Sequence, residues 1–192
     1  MLEQIIQTAE FLRAAGIKNP EIGIVLGTGL GKMINEFEII STLDYGSIPN
    51  FPLATVEFHS GKLIYGRLHG KYVLAMQGRF HYYEGYSLQQ VTFPIRVMKL
   101  LGIKYLLLSN AAGAMNLNYK KGSLMLIDDH INLLPDNPLR GKNLDELGTR
   151  FPDMSRPYSE GLNNRLLTIA KQENITLHKG VYAAIMGPNL ET

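Results

Sequence analysis

Two short apolar runs, each ending in a loop of very small residues, constrain this chain more than any other feature. Ile22–Leu26 runs into Gly27-Thr28-Gly29-Leu30-Gly31, and Tyr105–Leu108 runs into Ser109-Asn110-Ala111-Ala112-Gly113. Both runs read as strands, the second of them buried, and each delivers a loop of small residues that suits either a tight turn and close packing or the approach of a ligand to bare backbone. Between and around them the apolar spacing turns helical. Leu2, Ile5, Ile6, Ala9 and Leu12 fall on one helix face, with Gly16 as its C-terminal stop. Ser87 and Gln90 form a capping box ahead of a helical stretch to Leu101, which Pro94 should kink. Residues 162–170 read as a further helix. Residues 63–68 and 72–76 form a strand pair across His69-Gly70, residues 122–127 another strand, and residues 181–186 a final buried strand.

Strands alternating with helices indicate an α/β fold, and the hairpin at His69-Gly70 makes its sheet mixed rather than purely parallel. The expected architecture is a mixed central β-sheet flanked by helices, in a single domain covering residues 1–192. Residues 136–158, rich in Pro, Gly, Asn, Asp and Arg, form a long irregular excursion of the kind that is usually functional or disordered.

Composition sets outer limits. A chain of 192 residues suits one compact domain, which can bury about 70% of the surface its unfolded form exposes. Hydrophobic residues make up 45% and charged residues 19%, the balance of a globular protein with water around it. The formal net charge of +2 is too small and too dispersed to predict a nucleic-acid partner, and Lys120-Lys121 is explained by a solvated turn. There are no cysteines, which excludes disulfides and thiolate metal sites. The opening MLEQIIQTAE is too polar for a secretory leader. No apolar run reaches the roughly 18 residues of a membrane span. The expectation is a cytoplasmic protein that binds neither nucleic acid nor membrane. Gly187-Pro188-Asn189-Leu190-Glu191-Thr192 looks like a strand-to-helix turn with no helix after it, so the chain reads as lacking its C-terminal part.

The chemistry-bearing segments are separate in sequence. In Gly27–Gly31, backbone N–H groups ahead of a helix can make an anion nest, and Thr28 adds a hydroxyl. A P-loop is excluded: three residues rather than four separate Gly27 from Gly31, and Met33 follows Lys32. A dinucleotide fingerprint is excluded too, because its third glycine would stand at Lys32. By itself this loop is either a tight structural turn or a phosphate site. Gln77-Gly78-Arg79-Phe80-His81-Tyr82-Tyr83-Glu84-Gly85 is sharper. In an extended segment Arg79 and His81 point to one side. Arg79 offers the planar fork that suits phosphate, and His81 can donate to the same anion or to a sugar. Tyr83 continues that face and can lie against a ribose. Asn110–Gly113 leaves room for a flat ligand against the backbone, or serves close helix–strand packing. His59 reads as an exposed loop residue. Asp128, Asp129 and His130 are consecutive and so cannot easily converge on one ion, which leaves no metal site.

Taken together, Gly27–Gly31, Gln77–Gly85 and Ser109–Asn116 resemble the active site of the trimeric, low-molecular-mass class of purine nucleoside phosphorylases, in order and over essentially the whole chain. What the resemblance implies is specific. Thr28, His59, Arg79, His81 and the Ala111 backbone would bind phosphate. Tyr83 would meet the ribose, with Phe151 reaching it from a neighbouring subunit of a homotrimer. Ala111, Ala112, Gly113, Leu190 and Glu191 would line the purine pocket, and His81 and Glu191 would be catalytic. Two departures stand out: Thr28 replaces a commoner serine, and Leu190 stands where an aromatic is usual. The implied reaction is phosphorolysis of purine nucleosides to base and pentose 1-phosphate, in purine salvage, with inorganic phosphate as co-substrate and no cofactor. Methylthioadenosine phosphorolysis and a non-catalytic nucleotide- or phosphate-binding module are the alternatives. The 192 residues alone are expected to bind phosphate yet turn over little nucleoside.

Overall fold

In the computed structural model, residues 1–27, 29–52 and 61–189 are described. Thr28, His59, Leu190 and Glu191 lie outside the described residues. The chain forms two compact units, one of residues 1–112 with 138–148, the other of residues 113–137 with 149–192.

The first unit is built on a five-stranded sheet. Its strands are β1 (Ile22–Leu26), β2 (Glu38–Asp44), β3 (Lys62–Leu68), β4 (Lys71–Gln77) and β5 (Tyr105–Leu108), in the order β2-β3-β4-β1-β5. β1 runs parallel to both β4 and β5, whereas β3 is antiparallel to β2 and β4. The sheet is therefore mixed, and the two-residue turn at His69-Gly70 that joins β3 to β4 is the reason. Both turn residues have positive φ, 48° and 76°, as a type I′ turn requires.

The apolar runs alternate faces, and both faces are covered. Val25, Leu63, Tyr65, Leu74 and Met76 join a core with Ile5, Ala9 and Leu12 of helix α1 (Leu2–Ala14) and Phe93, Val97 and Met98 of helix α2 (Leu88–Leu101). Ile24, Leu26, Ile64, Val73 and Ala75 pack on the other face with Ile34, from a 3-10 segment over Leu30–Glu36, and Phe37 just after it. Continuous apolar strands are what a sheet buried on both sides demands.

Local signals set the helix ends. After α1, Gly16 N–H donates to Arg13 O and Ile17 N–H to Leu12 O, the paired bonds that close a helix C-terminus. At α2, Gln90 N–H donates to Ser87 Oγ while Ser87 N–H donates to Gln90 Oε1, a reciprocal capping box. The helix runs through Pro94 as one element.

The second unit holds a parallel pair, β6 (Leu124–Asn132) and β7 (Leu177–Ala184), with helix α3 (Glu160–Gln172) between them in the chain. Residues 136–158 carry no helix or strand.

Four expectations shift. β2 carried no sequence signal strong enough to be read. β5 is not buried: Tyr105, Leu107 and Leu108 are exposed, and the strand pairs with β1 alone at the end of the sheet order. β6 extends to Asn132, so Asp128, Asp129 and His130 are strand residues with separate partners. Lys179 pairs with Asp128, His130 N–H donates to Asp129 Oδ1, and the His130 ring meets Tyr158 Oη. β7 begins at Leu177 rather than 181 and is half-buried, with Val181 exposed; its hydrogen-bond ladder with β6 fixes its start, which apolar content alone did not reveal.

Candidate active site

Three neighbouring strands, β4, β1 and β5, are parallel and end at one edge of the first unit's sheet. Leu26 is level with Gln77, and Val25 with Leu108. The residues that follow are therefore brought side by side: Gly27, then Gly78 with Arg79, then Ser109 with Asn110. Loops beyond the carboxyl ends of parallel strands are where α/β proteins take their ligands.

Ser109 ties the first and third loops together. Gly27 N–H donates to Ser109 Oγ at 2.9 Å, and Ser109 Oγ and N–H both donate to Val25 O at 3.2 Å. The approach is close enough to dictate glycine. A Cβ on Gly27 would lie 2.6 Å from Ser109 O and 3.0 Å from Asn110 Cα, both backbone atoms.

The second loop presents the cation. Gly78, with φ of 100°, turns the chain out of β4. Phe80 is buried, while Arg79 and His81 on either side of it stay partly open, so the expected alternation holds. Arg79 Nη1 donates to Ser109 O at 2.7 Å and Nε to His81 Nε2 at 3.1 Å. The guanidinium thus bridges the second and third loops.

Glu84 holds His81 from behind. Its Oε1 accepts from His81 N–H at 2.9 Å and lies 2.5 Å from His81 Nδ1. A carboxylate accepts, so the proton sits on Nδ1, and Nε2 is left to accept from Arg79. The Glu84 side chain is 4% exposed and that of His81 20%. The expectation that Tyr83 continues an extended face is replaced by a tighter geometry. Residues 82–84 form a 3-10 turn, and Tyr83 stacks on His81 with ring centroids 4.8 Å apart and planes 17° apart. Tyr83 remains 48% exposed, an open flank beside the histidine.

Ala111 and Ala112 are exposed in the first unit, and Asn110 Nδ2 donates to Ala111 O at 3.0 Å. Gly113 and Phe151 belong to the second unit, where Phe151 is 85% exposed. Sequence reasoning missed Glu84 and Ser109. The His-x-x-Glu spacing of a helix-start box could have found Glu84, and the first polar residue after an apolar run could have found Ser109.

The arrangement offers a guanidinium fork, an imidazole oriented by a carboxylate, an aromatic face and a stretch of bare backbone. That set suits an oxyanion next to a sugar and a flat ring. Comparison with known proteins agrees with it. The phosphorylase superfamily model matches residues 21–192. Purine nucleoside phosphorylase 1 of Bacillus subtilis is 49% identical over 192 residues, which are 100% of this chain and 71% of that protein. The Bos taurus purine nucleoside phosphorylase is 44% identical over 195 residues, 99% of this chain and 68% of that protein. Among solved structures, isoform 2 of the Schistosoma mansoni purine nucleoside phosphorylase, in complex with cytosine and ribose-1-phosphate, aligns with a TM-score of 0.92 at 44% identity. It covers 99% of this chain and 68% of its own. The Schistosoma enzyme in complex with hypoxanthine aligns with a TM-score of 0.90. The chain belongs to the phosphorylase superfamily.

Proposed function

We propose that this protein is a purine-nucleoside phosphorylase, a pentosyltransferase that splits purine ribo- and deoxyribonucleosides with phosphate. The observation that carries this is the bridge from Arg79 to His81 and Ser109 O at the ends of β4 and β5. It stands in a chain whose relatives in bacteria and mammals are purine nucleoside phosphorylases.

In the forward direction the bond between the purine N9 and C1′ breaks, and its electron pair leaves on the purine. A phosphate oxygen bonds to C1′ from the opposite face, and the purine takes up a proton. The products are free base and pentose 1-phosphate. Phosphate is both nucleophile and counter-charge to the oxocarbenium character of the sugar. Arg79 would hold it through two N–H groups, with His81, Thr28, His59 and the Ala111 backbone completing the grip and supplying alignment. Tyr83, already stacked on His81, would lie beside the ribose. Ala111, Ala112 and Gly113 would give the purine a flat floor, with Leu190 beside it. Glu191 would accept a hydrogen bond from the base edge as charge builds there. The chemistry needs no metal or organic cofactor, and the protein would act in the cytoplasm, apart from nucleic acid and membrane. Among the described residues no helix is long and apolar enough to cross a membrane.

The first test is hypoxanthine release from inosine by the natural full-length protein, with and without phosphate. Release that does not need phosphate would make it a hydrolase. The second is Arg79→Ala. Hydrogen bonds to charged groups contribute roughly 1.5–3 kcal/mol, so phosphate binding should weaken about ten- to a hundredfold while nucleoside binding changes far less. Equal losses for both ligands would refute the assignment. Assembly follows from Phe151, which is bare to solvent beside Pro152 and the exposed Met154. A homotrimer that seats Phe151 near a neighbour's ribose site is the proposed state, and light scattering that shows a stable monomer would rule it out.

A further inference from the structure

Tyr45 stands well outside the loops that carry the chemistry, yet it grips the one that carries Arg79. It opens a 3-10 turn over residues 45–47, directly after β2, and its backbone N–H donates to Gly61 O at 2.7 Å. The side chain is 2% exposed. Its hydroxyl donates to Gly78 O at 2.7 Å, and its ring packs against Phe80 with centroids 5.2 Å apart. Gly78 and Phe80 flank Arg79 on both sides.

The Gly78 carbonyl lies just past the hydrogen-bond ladders. β4 pairs with β1 and with β3 up to Gln77 and no further. A buried carbonyl in that place needs a donor from elsewhere, and Tyr45 reaches across 33 residues to supply one. Phenylalanine would fill the same space in this aromatic cluster of Phe51, Phe80 and Phe93. Burying a hydroxyl is costly unless it is bonded, so the oxygen is the informative atom. Burial also pushes the phenol far above its usual titration range, which favours the protonated form that donates this bond.

We propose that Tyr45 is a positioning residue for phosphate capture: its hydroxyl on Gly78 O and its ring on Phe80 fix the backbone from which Arg79 and His81 reach the anion. This rests on Arg79 and His81 being the phosphate site. A fork that must meet an anion bidentately tolerates little rotation of its own backbone.

The test is Tyr45→Phe in the natural full-length protein, with Tyr65→Phe as its match. Tyr65 is a buried residue too, and its hydroxyl, in a partly buried bond, also donates to a backbone carbonyl, that of Lys18, which lies outside the three loops. Both variants should lose some thermal stability. Only Tyr45→Phe should raise the phosphate KM, by roughly 2- to 12-fold for one buried hydrogen bond, with the inosine KM unchanged. A phosphate KM at the parental value, or one raised as much in Tyr65→Phe, overturns the proposal. Arg79→Ala separates the two levels of the argument. If it leaves the phosphate KM alone, the site itself is misassigned. If it raises that KM and Tyr45→Phe does not, the site stands and the role of Tyr45 falls. Should Tyr45→Phe not fold, Phe80→Leu removes the ring that Tyr45 packs on and keeps every hydrogen bond. A raised phosphate KM there supports the clamp, and an unchanged one overturns it.

Discussion

Adding one methyl group to Gly27 should damage both the fold and the phosphate site, and the same change four residues later should not. In Gly27→Ala the new Cβ would sit 2.6 Å from Ser109 O, 2.9 Å from Ser109 C and 3.0 Å from Asn110 Cα. All three are main-chain atoms at the end of β5, so no side chain can swing away to make room. Overpacking of this kind costs about 1–3 kcal/mol. For a chain of this size each kcal/mol lowers Tm by roughly 2–4 °C, so a fall of about 2–12 °C is expected. The damage should extend beyond stability. The carbonyl that must move is the one that accepts from Arg79 Nη1, and Ser109 Oγ is the acceptor for Gly27 N–H. Phosphate affinity should therefore drop along with Tm. Gly31→Ala is the internal control. Its nearest neighbour would be Gln77 Nε2 at 3.5 Å, an ordinary contact, and its φ is not in the left-handed region. Differential scanning calorimetry and phosphate titration of the two variants decide the matter. Equal Tm values for Gly27→Ala and Gly31→Ala would refute the claim that backbone crowding dictates the first glycine.

Ser87→Ala breaks the reciprocal cap of α2 and should cost about 0.5–2 kcal/mol in chemical denaturation, with phosphate affinity unmoved. A simultaneous loss of phosphate affinity would show that α2's start is coupled to the site.

Most of what could be read directly from the sequence is chemistry between near neighbours. The capping box at Ser87 and Gln90, the helix stop at Gly16 and the turn at His69-Gly70 each involve residues at most a few positions apart. The side chain or missing side chain that makes them is visible in the string. Apolar runs announced β1 and the β3–β4 pair for the same reason. The short segment that holds Arg79, His81 and Tyr83 stood out because its residue types suit an anion beside a sugar.

Strand order was not legible. Nothing local says that β1 lies between β4 and β5, or that β2 closes the far edge. Those pairings are decided by how the apolar faces of the whole unit are covered. The same holds for burial: Tyr105–Leu108 looks like a core strand, yet Tyr105, Leu107 and Leu108 are exposed.

At the site the sequence supplied the groups and the fold supplied their supports. Arg79 meets Ser109 O across 30 residues, Gly27 meets Ser109 Oγ across 82, and Tyr45 meets Gly78 O across 33. Gly27 and Ser109 follow neighbouring strands, whereas the other two contacts reach across an intervening strand, so each depends on the registers of the sheet, and a one-residue slip would turn the facing side chains away. The sequence by itself determined which polar groups and small residues the chain carries and, through its likeness to a family, which reaction to expect of them. Only the tertiary structure decided which residues hold that chemistry in place, because a hydrogen bond is satisfied by distance in space and carries no trace of distance along the chain.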